Sequence, residues 1–287
     1  MLRPEEKAAL SLRELYESHG YSFYKMSRFE EYDFYADKKD FLASKAILTF
    51  TDINGKLMAL RPDVTLSIIK HVKDSGEIQK FYYDEKVYRV PKNANSFHEI
   101  SQAGIECIGE LNNESVRDVI ELAVMSLRLI AGTRKCILDI ADAGVITDLL
   151  KGNQKRDEIL KCIAEKNIHG LKNLNAPEKL IMLAEIQDSP DKALHVIDEI
   201  TDSNCLKVLD GMNEYYDEIR IDFSAVNNLN YYNGIVFRGF IEGIPESILS
   251  GGEYDNLIHM IGRDKDSRAL GFAVYLDLVE RGYDSHD

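Results

Sequence analysis

The apolar positions of the chain change their period several times, and each change marks an element. Between Glu5 and His19, the residues Ala8, Leu10, Leu12 and Leu15 recur among charges, which predicts an amphipathic helix near the start. Lys45–Thr51 and Lys56–Leu60 read as short strands, and Asp52-Ile53-Asn54-Gly55 between them supplies the positive backbone angles of a tight hairpin. Pro62 ends the second strand, and Asp63 stands at an N-cap position ahead of a helix over Val64–Val72. Gln79–Val90 and His98–Gly109 form a second strand pair around the loop Pro91–Ser96. Glu114–Ile130 is the clearest helix, with Val116, Val119, Ile120, Ala123, Val124 and Leu127 along one face.

Cys136–Ile140 then reads as a buried strand, and Ala143–Tyr216 as short helices such as Pro177–Ile186 and Pro190–Ile200, a helical insert (143–216) within one domain. Strands return at Ile219–Phe223 and Tyr232–Phe240, followed by helices at Tyr254–Ile261 and Phe272–Glu280. Hairpins with helices interleaved predict an α+β class, an antiparallel sheet flanked by helices. The missing Gly-rich loop between a strand and a helix argues against a dinucleotide-binding fold.

Composition narrows the partners more than the fold. A chain of 287 residues can bury a large core, and 45% hydrophobic with 29% charged residues is ordinary for a globular protein. A formal net charge of −14 argues against nucleic acid, whose phosphates need clustered Lys and Arg. Cys107, Cys136, Cys162 and Cys205 are far apart with no C-x-x-C pair, so they read as buried free thiols, and no metal or cofactor is expected. The opening MLRPEEKAAL lacks an apolar signal core, and no apolar run approaches the ~20 residues that span a bilayer. A cytoplasmic protein without a membrane partner is the expectation.

Four segments carry candidate chemistry. Thr51–Thr65 ends in Leu60-Arg61-Pro62-Asp63-Val64-Thr65. Asp63 there can accept hydrogen bonds from a ligand's ammonium with Arg61 orienting it, or merely cap the next helix; the two roles can coexist. Lys86–Gly109 contains Arg89, whose guanidinium suits planar anionic groups, and the run Gln102-Ala103-Gly104-Ile105-Glu106. Gln102 and Glu106 alternate onto one strand face, either reading an imidazole or ammonium together or forming a polar face open to solvent. In Asn227–Phe237, Tyr231 and Tyr232 adjoin on a predicted strand, so they are expected to face opposite ways, with at most one lining a pocket. Gly251–Leu278 opens with Gly251-Gly252-Glu253-Tyr254-Asp255, where glycines let the backbone approach a ligand closely.

Taken in order, these segments resemble the catalytic core of class II histidyl-tRNA synthetases over nearly the whole chain outside the insert. Thr51–Thr65 is similar to that family's strand–turn–strand ending in L-R-P-E-x-T, with Asp63 for the glutamate; Lys86–Gly109 is similar to motif 2 with its Q-x-G-x-E. Leu229, Tyr231, Tyr232, Val236 and Phe237 match R-G-L-x-Y-Y-x-x-x-V-F, Gly251–Asp255 matches G-G-x-Y-D, and Gly271-Phe272-Ala273 with Leu276 matches motif 3. Tyr21–Phe34 has the outline of motif 1, the dimer-building segment, with Ser27 in place of a proline. The resemblance implies a histidine-like pocket lined by Asp63, Arg89, Gln102, Glu106, Tyr232, Gly251, Gly252 and Tyr254.

The departures are as informative as the matches. Asn227 stands for the catalytic arginine, Leu278 for the last arginine of motif 3 with Arg281 three residues beyond, and His98 for the second arginine of motif 2, whose loop carries only Lys92. Adenylate formation builds negative charge that a fixed guanidinium usually stabilises, so loss of aminoacylation is expected. No anticodon-binding domain is expected after motif 3. These traits resemble the family's regulatory paralogue, the regulatory subunit of ATP phosphoribosyltransferase. That resemblance implies a self-dimer, a hetero-octamer with the short catalytic subunit, a place in the first step of histidine biosynthesis, and L-histidine as feedback effector. Two alternatives stay open: an amino-acid-activating ligase using a cation such as magnesium, and a stand-alone amino-acid sensor.

Overall fold

The computed structural model describes residues 2–36, 38, 41–42, 46–72, 77–91, 95–226, 229, 231–261 and 266–279. They fall into two units, Met1–Leu111 with Asn256–Asp287, and Asn112–Asp255.

In the first unit, Pro4 opens α1 (Pro4–Ser18) where its missing N–H is no loss, and Glu6 accepts the Arg3 N–H at 2.8 Å. Of the apolar stripe predicted for this helix, Ala8 and Leu12 are buried, Leu15 is half-buried and Leu10 is exposed; Tyr16, outside that stripe, is buried as completely as Leu12. Their burial contributes about 1.5–3 kcal/mol per large side chain, and the Tyr16 ring meets Tyr82 at 6.2 Å and Phe272 at 6.0 Å between centroids. β1 (Ser22–Phe23), β2 (Phe29–Glu31) and α2 (Tyr32–Ala36) follow, then β3 (Thr49–Thr51) and β4 (Leu57–Leu60). The expected hairpin turn is present between β3 and β4, with the Asp52 carboxylate accepting the N–H groups of Asn54 and Lys56, both at 2.8 Å. β2, β4 and β3 make an antiparallel three-stranded sheet. Asp63 caps α3 (Val64–His71) as predicted, accepting the Leu66 N–H at 2.9 Å.

β5 (Gln79–Arg89) and β6 (His98–Gly109) form the long antiparallel hairpin, with Phe81 opposite Glu106 and Glu85 opposite Gln102. β1 joins the outer edge of β5 in parallel.

In the second unit, Asn112 caps α4 (Asn113–Ala131) through Ser115 N–H at 2.9 Å, and the face predicted from periodicity is buried. β7 (Cys136–Asp142) leads into the helices α5 (Ala143–Leu149), α6 (Arg156–Ala164), α7 (Ile168–Asn173) and α8 (Glu178–Glu185). After β8 (Gln187–Asp188) and α9 (Pro190–Ile200) come β9 (Ile219–Asp222), β10 (Ile235–Ile241) and β11 (Leu249–Glu253). β10 pairs antiparallel with both β7 and β11, β9 pairs parallel with β7, and β8 antiparallel with β9. Two buried aspartates anchor a charge cluster at β7 and β9: Arg220 holds Asp139 through two bonds of 2.7 and 2.9 Å, and Asp222 accepts from Lys166 Nζ at 2.6 Å and Gln187 Nε2 at 3.0 Å.

The chain returns to the first unit after Asp255, within α10 (Asp255–Met260), and then forms β12 (Arg268–Tyr275), antiparallel to β6. Three sequence expectations differ from the structure. Of the four cysteines read as buried, only Cys107 is; Cys136, Cys162 and Cys205 are half-buried. Phe272–Tyr275 belongs to β12 and not to a helix; helical backbone begins only at residue 276. Leu270, Phe272 and Val274 are buried on one face while Gly271 is close-packed and Ala273 half-buried on the other, and a short apolar run of that kind has no period in sequence to tell strand from helix. Tyr232 lies outside the strand predicted for it, which begins at Ile235. Among the described residues no helix is long and apolar enough to cross a membrane.

Candidate functional site

In the first unit the strand register assembles most of the predicted polar residues. Paired positions in antiparallel strands point to the same face, so Phe81, Tyr83 and Glu85 of β5, Gln102, Gly104 and Glu106 of β6, and Gly271, Ala273 and Tyr275 of β12 share one side of the sheet. The opposite side carries Tyr82, Ile105 and Phe272 toward α1. The glycines have a steric purpose. A Cβ on Gly104 would sit 2.6 Å from the Tyr83 hydroxyl, and one on Gly271 only 2.0 Å from Glu106 Oε2. Two polar heads therefore lie flat over positions that have no side chain.

Glu106 and Gln102 are both 2% exposed, so the alternative of a polar face open to solvent is excluded. Thr65, in the first turn of α3, donates its hydroxyl to Glu106 Oε1 at 2.5 Å. Tyr83 is fully covered, and its hydroxyl is pushed well above the ordinary tyrosine range by burial and then by the charge of Glu106.

Asp63 both caps and pairs. Its Oδ1 takes the Leu66 N–H, while Oδ2 lies 3.2 Å from Arg89 Nη2. Arg89, the last residue of β5, also donates from Nε to the Pro62 carbonyl at 2.6 Å. Burial pushes the Asp63 carboxyl above the ordinary aspartate value, against the pull of Arg89 and the Leu66 N–H. The pair presents a held guanidinium beside a carboxylate, a combination suited to a zwitterionic ligand.

Arg61 does something other than orient a ligand. It is completely buried and donates to the Ser27 carbonyl at 2.7 Å, Glu85 Oε2 at 2.7 Å and the Lys86 carbonyl at 2.9 Å, stitching the β2 entry to β5. His98, opposite Arg89 in the hairpin, faces Ser96 Oγ at 3.2 Å.

The remaining predicted residues belong to the second unit. Tyr231 and Tyr232 do not point to opposite faces: they lie in the turn before β10 with rings 4.9 Å apart in an edge-on contact. Tyr231 also meets the buried Tyr254 in a tilted contact with centroids 5.9 Å apart, leaving Tyr232 the more exposed of the two. Gly251 and Gly252 are in β11, where a Cβ on Gly252 would stand 2.8 Å from the Tyr232 ring and 2.6 Å from the Ile235 carbonyl. Asn227, Lys92 and Arg281, which the sequence singled out, lie outside the described residues. Leu278 is described and half-buried. Among the described residues no cluster of three or more His, Cys, Asp or Glu side chains could hold a metal ion.

Thr65 was matched by sequence only as the end of L-R-P-E-x-T, with no role given, and Tyr83 and Glu85 were not singled out. Alternation along Phe81–Glu85, set against Gln102–Glu106 in hairpin register, was the available signal for the last two.

Comparison with known proteins identifies the family and the fold. A family model described as histidyl-tRNA synthetase matches residues 2–279. An ATP phosphoribosyltransferase regulatory subunit from Caldanaerobacter subterraneus subsp. tengcongensis is 31% identical, across 93% of this chain and 75% of the relative. Among solved structures, one described as an ATP phosphoribosyltransferase regulatory subunit/histidyl-tRNA synthetase from Bacillus halodurans superposes with a TM-score of 0.79 at 22% identity, covering 97% of this chain and 79% of the other. A chain of the ATP phosphoribosyl transferase (HisG:HisZ) complex from Thermotoga maritima gives 0.73 at 19% identity, covering 95% and 97%. These likenesses establish the α+β, class II synthetase-like fold. The chain belongs to the histidyl-tRNA synthetase family as that model defines it, among relatives that carry the name ATP phosphoribosyltransferase regulatory subunit.

Proposed function

We propose that this chain is a non-catalytic regulatory subunit of ATP phosphoribosyltransferase, required by the short catalytic subunit for the first step of L-histidine biosynthesis and for feedback inhibition by histidine. The observation that carries the reading is the 31% identity to a protein of that name over 93% of the chain. The description of the Thermotoga maritima structure as a complex of two kinds of subunit supports an assembly with a catalytic partner, for which a hetero-octamer is proposed. Asp63 and Arg89 are assigned to the ammonium and carboxylate of histidine, Gln102 and Glu106 to its ring or ammonium. In the second unit, Tyr232, Gly251, Gly252 and Tyr254 are assigned as ligand contacts in their own right. Asn227 and Leu278, each in place of a family arginine, support the absence of aminoacylation, because the charge of an adenylate would have no guanidinium at either position. The proposal includes a cytoplasmic location and no nucleic-acid partner.

The deciding experiment is phosphoribosyl-ATP formation by the same organism's short catalytic subunit, with and without this protein, across a histidine titration. Activation that histidine reverses is expected. No activation and no co-elution of the two proteins would refute the role and turn attention to an amino-acid sensor or ligase.

A further inference from the structure

The segment G-G-x-Y-D has an unassigned middle residue, Glu253, and its environment is unusual for a carboxylate. Glu253 is 3% exposed. The β10–β11 register runs from Gly239–Leu249 to Val236–Gly252, and one further step would set Ile235 opposite Glu253. The chain departs from the ladder at that step. The Glu253 carbonyl accepts the N–H of Asn233 instead, at 3.0 Å. The Ile235 N–H goes to the carboxylate of Glu253, Oε2, at 2.9 Å. A side chain thus stands in for a backbone acceptor where the strand peels into the turn carrying Tyr231 and Tyr232.

The neighbours fit that purpose. Any side chain on Gly234 would strike Glu253 Oε2, since a Cβ there would be 1.9 Å away. Cys205 Sγ donates to the same oxygen from 3.8 Å. Behind the turn lies a cavity of about 620 Å³ lined in part by Asn233, Gly234 and Cys205, so apolar packing does not buttress the turn from that side. On that side polar bonds hold it, with the Glu253 side-chain oxygen as acceptor.

We propose that Glu253 is a positioning residue: its carboxylate fastens the Tyr231–Gly234 turn to β11 and so sets the Tyr232 ring against Gly252. Its consequence for ligand binding rests on the reading of Tyr232 as a histidine contact; its consequence for the turn rests on geometry alone. The test uses the full chain as wild type, Glu253→Gln and Glu253→Ala, with amide hydrogen exchange read by mass spectrometry and histidine affinity read by calorimetry. In Glu253→Ala, exchange across residues 231–236 should rise about tenfold or more and histidine binding weaken by a similar factor, while α4 keeps its protection. Glu253→Gln retains a carbonyl acceptor for the Ile235 N–H and should stay within about twofold of wild type.

Unchanged exchange at 231–236 in Glu253→Ala overturns the proposal. So does loss of protection throughout the chain in both variants alike, which would mark a general defect of folding. If Glu253→Ala does not fold, Gly234→Ala, which drives a methyl group into the carboxylate, replaces it in the same comparison with Glu253→Gln. Wild-type protein that takes up no histidine would refute the pocket assignment, and the exchange rates would still decide the role of Glu253.

Discussion

Thr65 Oγ1 lies 2.5 Å from Glu106 Oε1, joining the first turn of α3 to the middle of β6. The same turn is capped by Asp63, so one helix start fixes two acidic groups of the candidate site. A hydroxyl that donates to a carboxylate orients it and leaves the second oxygen aimed elsewhere; here Oε2 lies above Gly271.

Glu106→Ala should weaken histidine binding about tenfold or more, since a hydrogen bond to a charged group contributes about 1.5–3 kcal/mol. Thr65→Val should have a smaller effect in the same direction, because the carboxylate remains but loses its orientation. Calorimetric titration distinguishes them, and equal affinity in wild type and Glu106→Ala would remove Glu106 from the pocket.

Gly271→Ala tests the same carboxylate by steric means. The added methyl would fall 2.0 Å from Glu106 Oε2 and 2.4 Å from the Ile105 carbonyl, so the side chain must move or the strand must shift. Reduced histidine affinity together with a lower melting temperature is expected. A variant matching wild type in both would show that Glu106 has room to spare.

Arg61 is a structural residue, and its replacement should be read in stability. Arg61→Met leaves Glu85 and two carbonyls without their donor and should lower folding stability by about 3 kcal/mol, the scale for breaking a buried pair. Denaturant unfolding measures this directly. A variant of wild-type stability with weakened histidine binding would return Arg61 to the ligand.

Asp222 predicts a dependence on pH. Burial pushes its carboxyl up, but the bonds from Lys166 and from Ser224 outweigh it and hold the group below the ordinary aspartate value of 3.8. A carboxylate lowered in the folded state stabilises the fold above its unfolded value, and that contribution is lost as pH falls through the lowered one. Asp222→Asn should therefore be less stable than wild type by about 2 kcal/mol near neutrality. The gap should narrow in acid, below the ordinary value of 3.8. A gap independent of pH would assign the loss to packing alone.

How much of this was legible in the sequence depended on whether the signal was local. The Asp63 cap, the Asp52–Gly55 turn and the common face of Gln102 and Glu106 follow from spacing within a few residues, and each is present. The Arg61–Glu85 pair joins residues 24 apart in sequence and depends on how β4 meets β5, which no local pattern encodes. Phe272–Tyr275 misled because the run is apolar or aromatic at every position, so the sequence shows no alternation although the burial does. Tyr231 and Tyr232 misled for a different reason: strand alternation was applied to residues in a turn, where the backbone lets both rings fall together.

That ring contact has an optical consequence. The chain contains no tryptophan, and the Tyr231 ring touches Tyr232 and Tyr254 at centroid distances of 4.9 and 5.9 Å. Aromatic absorption in the near ultraviolet is therefore free of indole bands, and these three chromophores sit close enough to couple and give a chiral signal. A ligand that displaces Tyr232, or a substitution that frees its turn, would register as a change in near-ultraviolet circular dichroism, giving the protein a built-in reporter that needs no label.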